Sequence, residues 1–178
     1  SYYKKAVHED PLLDRGWILL TNLYYERANY QKAAYYITKA IKIDDNNSYY
    51  WKCYSEIKLK LNFYEEAVVG FENCLTLGDE SIEIYIALVD VLTFLEEFNE
   101  AVSILVKAQK VHKNFAEIEY RLSGLFFVLN KEKYGFNHLI AAMKIDYDYH
   151  VILNEMFPIV SENKKVMKLI ADYKKALE

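Results

Sequence analysis

DRGWILLTNLYYERANYQKAAYYITKAIKIDDNN, residues 14–47, decides the fold, because its pattern of large and small side chains returns every 34 residues along the chain. Steps of that length from Ala33 reach Ala67, Ala101 and Gly135, each a small residue in a segment crowded with large ones. Ala40 leads in the same way to Cys74, Ala108 and Ala142, and backwards to Ala6. A period of this size belongs to stacked supersecondary units, each too small to bury its apolar face alone.

Inside the stretch, Trp17, Leu20, Thr21 and Tyr24 share one helical face, and Ala33, Ile37, Ala40 and Ile41 share another. Asp14 is the expected N-cap of the first helix, and Ala28 with Asn29 forms the turn. The second helix should run over 30–43, ended by Asp44, Asp45, Asn46 and Asn47, whose short side chains bond local backbone in competition with the helix.

The spacing carries the same plan into three further units. Residues 48–81 hold Ser48 as cap, Trp51, Tyr54 and Ser55, a turn at Leu61, Asn62 and Phe63, then Ala67, Phe71 and Cys74. Residues 82–115 hold Tyr85, Leu88, Val89 and Leu92, then Ala101, Leu105 and Ala108. Residues 116–149 hold Leu122, Ser123 and Phe126, then Gly135, Leu139 and Ala142, with Glu119 where the others carry an aromatic and Tyr120 as the neighbouring ring. Residues 1–13 read as the second helix of a partial unit, so the chain is expected to begin inside a repeat. Residues 150–178 read as a cap: a short helix over 150–157 stopped by Pro158, then a last helix with Ser161 as its cap and Val166, Leu169, Ile170 and Tyr173 as its apolar stripe. The chain is expected to form one domain.

Composition agrees with this class. An apolar fraction of 53% excludes disorder, and two prolines with five glycines leave few turn formers, pointing to helices on short connections. The formal charge of −4, with arginine only at Arg15, Arg27 and Arg121, argues against a surface for phosphate backbones. No apolar run approaches the ~18 residues needed to span a bilayer, and a cytoplasmic location is expected. Cys53 and Cys74 lack the spacing of a disulfide framework or zinc site, and His8, His112, His138 and His150 lack that of metal ligands. These histidines are expected at the solvated rim. Glu65 with Glu66, and Glu96 with Glu97, stand at helix starts where acids meet the dipole favourably. No phosphate loop, nucleophile elbow or His-Glu zinc motif occurs. No cofactor and no enzyme activity are expected.

Trp17, Leu20, Thr21, Tyr24, Ala33, Ile37 and Ala40, in that order, resemble the signature of the tetratricopeptide repeat family: a large residue, Leu, a small residue and an aromatic in the first helix, then Ala, an aromatic or aliphatic residue and Ala in the second. The helix-two openings Tyr30-Gln31-Lys32-Ala33, Tyr64-Glu65-Glu66-Ala67 and Phe98-Asn99-Glu100-Ala101 fit as well. Departures are the missing proline after each second helix, Glu119 and Gly135. The resemblance implies an all-α fold, a right-handed superhelical solenoid of antiparallel helix pairs, acting as a protein-interaction scaffold. It places a concave groove along the first helices, lined by Asn22, Tyr25, Tyr49, Lys52, Glu56, Leu59, Glu83, Ile86, Asp90, Tyr120, Arg121 and Phe127. Trp17, Trp51, Tyr24, Tyr54 and Tyr85 fall instead at core positions.

Some family members clamp the C-terminal carboxylate of a chaperone peptide with Lys, Asn, Asn, Lys and Arg. Those positions here hold Ile18, Asn22, Cys53, Glu83 and Ala87, or one unit later Lys52, Glu56, Ala87, Glu117 and Arg121. Acids in place of a lysine and an asparagine would repel a carboxylate, so a chaperone tail is not the expected ligand. The expected partner is a protein or peptide, neither nucleic acid nor membrane, with homodimerisation through the open N-terminal end as a further option. The alternatives are a helical-repeat RNA-binding module, which would need a basic groove, and an accessory domain of a larger enzyme or envelope complex.

Where two antiparallel helices approach closely, one must present a small residue to admit the other's large one. Ala67→Leu is therefore expected to overpack its contact and cost about 1–3 kcal/mol. A urea melt in which Ala67→Leu matches the parent would refute the packing role.

Overall fold

The computed structural model describes residues 14–177, and the described chain is helices joined by short turns. The helices are α1 (Asp14–Glu26), α2 (Tyr30–Ile43), α3 (Ser48–Lys60), α4 (Tyr64–Thr76), α5 (Ile82–Phe94), α6 (Phe98–Val111), α7 (Ala116–Val128) and α8 (Glu132–Ile145). A 3-10 turn (Asp148–Val151) and α9 (Ile152–Met156), α10 (Pro158–Ser161) and α11 (Lys164–Leu177) complete it. The starts of α1, α3, α5 and α7 are each 34 residues apart, as are those of α2, α4, α6 and α8. The expected partial unit over 1–13, with the N-terminal end suggested for dimerisation, lies outside the described residues.

The chain divides into two compact units, one ending at Leu95 and the other beginning at Glu96. In the first, α1 pairs with α2 and α3 with α4, while α2 packs on α3 and α4 on α5. In the second, α7 pairs with α8 and packs on α6, and the 3-10 turn, α9 and α10 also lie against α7.

The small residues of the period sit where the packing requires them. Ala33, Ala40, Ala67, Cys74, Ala101, Ala108 and Ala142 are all fully excluded from solvent. Gly135 completes the set: a Cβ there would come within 2.9 Å of the Phe127 ring. Between α3 and α4 the approach is closer still, since a Cβ on Gly70 would meet the Ser55 hydroxyl.

The turns inside the pairs repeat as strictly as the helices. Ala28, Asn62, Glu96 and Asn130, again 34 residues apart, all hold positive φ near 60°. The amide of Ala28 donates to Tyr25 O and that of Asn29 to Tyr24 O, both at 2.9 Å. Asn62 with Phe63, and Asn130 with Lys131, make the same two bonds. This is the Schellman end of a helix, in which a left-handed residue lets the chain reverse while satisfying the last carbonyls. Asn accepts that conformation readily; Ala and Glu do so at a cost. Glu96 and Glu97 thus belong to the turn before α6 rather than to its first turn, whereas Glu65 and Glu66 do lie in the first turn of α4.

Several local expectations need correction. Ser48 opens α3 as a helical residue, with Asn47 ahead of it and no side-chain cap bond. Pro158 does not merely stop a helix but occupies the first turn of α10, where its missing N–H costs nothing. Ser161 ends α10; the cap of α11 is Asn163, whose Oδ1 accepts from the amides of Lys165 at 3.0 Å and Val166 at 3.4 Å. Trp17, Trp51, Tyr24 and Tyr54 are half-buried, and only Tyr85 of the five is buried outright. Trp17 stacks on Tyr36, and Trp51 donates its indole N–H to Asp45 O at 2.8 Å.

His138 is not a solvated rim histidine. Its Nδ1 lies 2.7 Å from Glu119 Oε2, and Gln109 Nε2 donates to the other carboxylate oxygen. Glu119 and His138 stand at the positions that hold Trp17 and Tyr36 in the first repeat, so a polar contact replaces a ring stack. Burial pushes the Glu119 carboxyl upward, but the hydrogen bonds of His138 and Gln109 and the charge of His138 hold it below the usual range. Its contribution to stability is present above the ordinary carboxylate pKa and is lost as pH falls through the depressed value.

Ala28→Gly is expected to raise stability by about 0.5–1 kcal/mol, because relief of the left-handed strain exceeds the added flexibility of the unfolded chain. The unfolding midpoint of the variant measures it. A midpoint at or below that of the parent would contradict the strain at this turn.

Candidate functional site

The first unit carries a cleft of about 160 Å³ between α1 and α3, lined by Thr21, Asn22, Tyr25, Tyr49, Lys52, Cys53, Glu56 and Ile57. Helical spacing explains the gathering: on α3 Tyr49 lies three and four residues before Lys52 and Cys53, and Glu56 four and three after them, and on α1 Asn22 lies three before Tyr25. Five of the twelve residues expected to line a groove therefore meet here. Thr21, Cys53 and Ile57 also line it; the repeat pattern gives Thr21 as a packing position and Cys53 as one of the clamp positions, and does not single out Ile57.

Tyr49 is half exposed, at 50%, and its phenol shares hydrogen bonds with the Cys53 thiol and the Asn22 amide. The Cys53 bond and charge, with burial, push the Tyr49 phenol above its usual range against the opposing effect of Asn22. Burial and then the Glu56 carboxylate raise Tyr25 in the same direction. Both rings hence present neutral hydroxyls at neutral pH. Burial drives the Cys53 thiol up to about 11, so it stands as S–H and not as the nucleophilic thiolate. The cleft offers two rings with polar tips, one amide, one cation and one anion, a set suited to grasping a chain by contact area and hydrogen bonds.

The remaining expected residues do not join it. Leu59 and Ile86 are half-buried, and Glu83 and Asp90 are exposed. In the second unit the repeat logic fails outright. Tyr120 is 0% exposed and donates its hydroxyl to Asp146 O at 2.8 Å, and Arg121 is 5% exposed with Nη2 2.7 Å from Glu117 Oε1. Neither lines a groove. The cause is that α6, α8 and the segment after α8 together enclose α7: residues 118–125 are all buried, and a Cβ on Gly124 would run into the Phe157 ring. Gly124 is the register equivalent of Asn22 and Glu56. Tyr149 closes the covered edge by donating its hydroxyl to Glu117 Oε2 at 2.8 Å, and burial followed by that bond raises the phenol to about 12. Phe127 lies half-buried, edge-on to Phe136 at 5.0 Å, and borders a separate cleft with Ile159 and Asn163.

Among the described residues no three or more His, Cys, Asp or Glu side chains gather as a metal site would require. None of the described helices is long and apolar enough to cross a membrane.

Comparison with known proteins agrees with the helix pairs. No family model matches the chain. The crystal structure of YrrB, a TPR protein with an unusual peptide-binding site, superposes with a TM-score of 0.70 at 19% identity, covering 97% of this chain and 90% of that one. The crystal structure of MamA gives 0.71 at 14% identity over 83% and 86%, and MamA from Desulfovibrio magneticus RS-1 gives 0.68 at 15% over 92% and 96%. The fold is thus that of tetratricopeptide-repeat proteins. In sequence, 144 residues are 20% identical to anaphase-promoting complex subunit 3 of Schizosaccharomyces pombe, covering 81% of this chain and 22% of that protein's length.

With the Cys53 thiol pushed up to about 11, its thiolate fraction at pH 8 is on the order of a hundredfold below that of an unperturbed cysteine. Alkylation at that pH is expected to be slower by a similar factor in the folded protein than in urea. Equal rates would show that the thiol is neither buried nor bonded as described.

Proposed function

We propose that the chain is a non-catalytic protein-interaction module, and that it grips an extended peptide or a partner helix in the Tyr25–Tyr49 cleft of its first unit. The observation that carries this reading is the cleft itself, where Asn22, Tyr25, Tyr49, Lys52 and Glu56 converge without an activated nucleophile. Rings with few rotatable bonds bury area at low entropic cost, which makes tyrosine a frequent anchor of such contacts. Lys52 and Glu56, one turn apart, match a partner carrying both signs of charge. They suit neither a phosphate backbone nor a bare carboxylate, which weighs against the RNA and chaperone-tail readings. YrrB, a protein of the same fold, has a peptide-binding site, and the curated relative is a subunit of a multiprotein complex. The first supports peptide binding, and the second a module that works inside a larger assembly.

Affinity capture from source lysate, with the parent beside Tyr49→Ala/Lys52→Ala, tests the proposal. The double variant is expected to keep its unfolding midpoint and to lose its principal partner by about tenfold or more. An unchanged captured set would move the contact away from this cleft.

A further inference from the structure

A second cleft, of about 370 Å³, lies between α8 and α11 in the second unit, lined by Phe136, Ile140, Lys165, Lys168, Leu169 and Asp172. Its floor is apolar: Phe136, Ile140 and Leu169 are each only half-buried, leaving hydrocarbon open to a partner. Its rim is cationic. Lys165 and Lys168 are exposed on α11, and on α8 Lys133 stands three residues before Phe136 and Lys144 four after Ile140, which helical spacing places on that same face. The acids nearby are Glu132, paired with Lys165 at 3.1 Å, and Asp172. Both partners of that pair are well exposed, so the pair is weak and easily exchanged.

The charge of α11 is out of keeping with its chain. The helix holds Lys164, Lys165, Lys168, Lys174 and Lys175 against Asp172 alone, within a protein whose formal charge is −4. A basic amphipathic helix commonly reads as a membrane anchor. Here that use is opposed by the packing, because the apolar stripe residues Val166 and Ile170 are already buried in the unit. What remains open is a row of ammonium groups beside a hydrocarbon floor.

We propose that this cleft docks an acidic amphipathic segment of a partner protein, its carboxylates meeting Lys165 and Lys168 and its large apolar side chains entering between Phe136, Ile140 and Leu169. The site is separate from the Tyr25–Tyr49 cleft and gives the module a second contact, cationic where the first carries both signs of charge. Complementary charge sets the orientation and speeds the encounter, while the apolar floor retains the bound segment.

The probe is a fluorescein-labelled helical peptide of about 12 residues with Glu on one side and Leu and Phe on the other, read by anisotropy against the whole chain. It is expected to bind at least ~10-fold more tightly than counterparts with Lys for Glu or Ser for Leu and Phe, and to weaken as salt rises. The double variant Lys165→Glu/Lys168→Glu is expected to lose ~10-fold or more for the acidic peptide and to gain for the basic one, with an unchanged unfolding midpoint because both side chains are exposed. Tyr49→Ala/Lys52→Ala should leave this binding untouched. The proposal is overturned if the acidic peptide does not bind, if charge reversal leaves its affinity unchanged, or if phosphatidylserine vesicles are bound while the peptide is not.

Discussion

Close approach of two helices at a small side chain is the constraint on which each pair depends. Fully buried residues no larger than alanine or cysteine stand at Ala33, Ala40, Ala67, Cys74, Ala101, Ala108 and Ala142. The opposing side chains press against them: the Phe127 ring lies where a Cβ on Gly135 would come within 2.9 Å. Packed interiors have no spare volume for an extra methylene, so the period is enforced by sterics rather than by propensity. The left-handed turn follows from the same requirement. Only a sharp reversal brings the second helix of a pair back within reach, and so even Ala28 is held at positive φ.

This constraint leaves the other face of the first helices unassigned, and the two units use it differently. In the first unit α1 and α3 leave a cleft whose rings, amide and charges are accessible. In the second, α7 is enclosed by α6, α8 and the segment that follows, so the equivalent positions become core. Glu119 and His138 mark the same change of character on the packing side, where a polar contact that also engages Gln109 replaces the stacked rings of Trp17 and Tyr36.

The fold was legible because steric repetition writes itself into residue size. The limits of α2 at Tyr30 and Ile43 and the turn at Leu61, Asn62 and Phe63 could be read directly from the period. The left-handed turns at Ala28 and Glu96 were hidden, since neither residue type advertises that conformation. The site was legible only in part. Asn22, Tyr25, Tyr49, Lys52 and Glu56 converge because their spacing is local to two helices. Tyr120 and Arg121 defeated the same logic, because Tyr120 bonds to Asp146 O beyond the end of α8 and Arg121 is held by Glu117 on a helix buried over residues 118–125. The contact of His138 with Glu119 joins residues 19 apart on different helices, which no spacing rule within one helix reveals.

Phe157 resting on Gly124 has a consequence for how such a chain could grow. Repeat proteins lengthen by duplication of interchangeable units, and the first repeats here have that character. The fourth does not, since its Gly124 is shaped to a ring from the terminal segment and not to the helix of another copy. A duplicated fourth unit inserted before the terminal segment would carry an unfilled notch at its own Gly124. New copies could therefore enter ahead of α7 far more readily than directly behind α8.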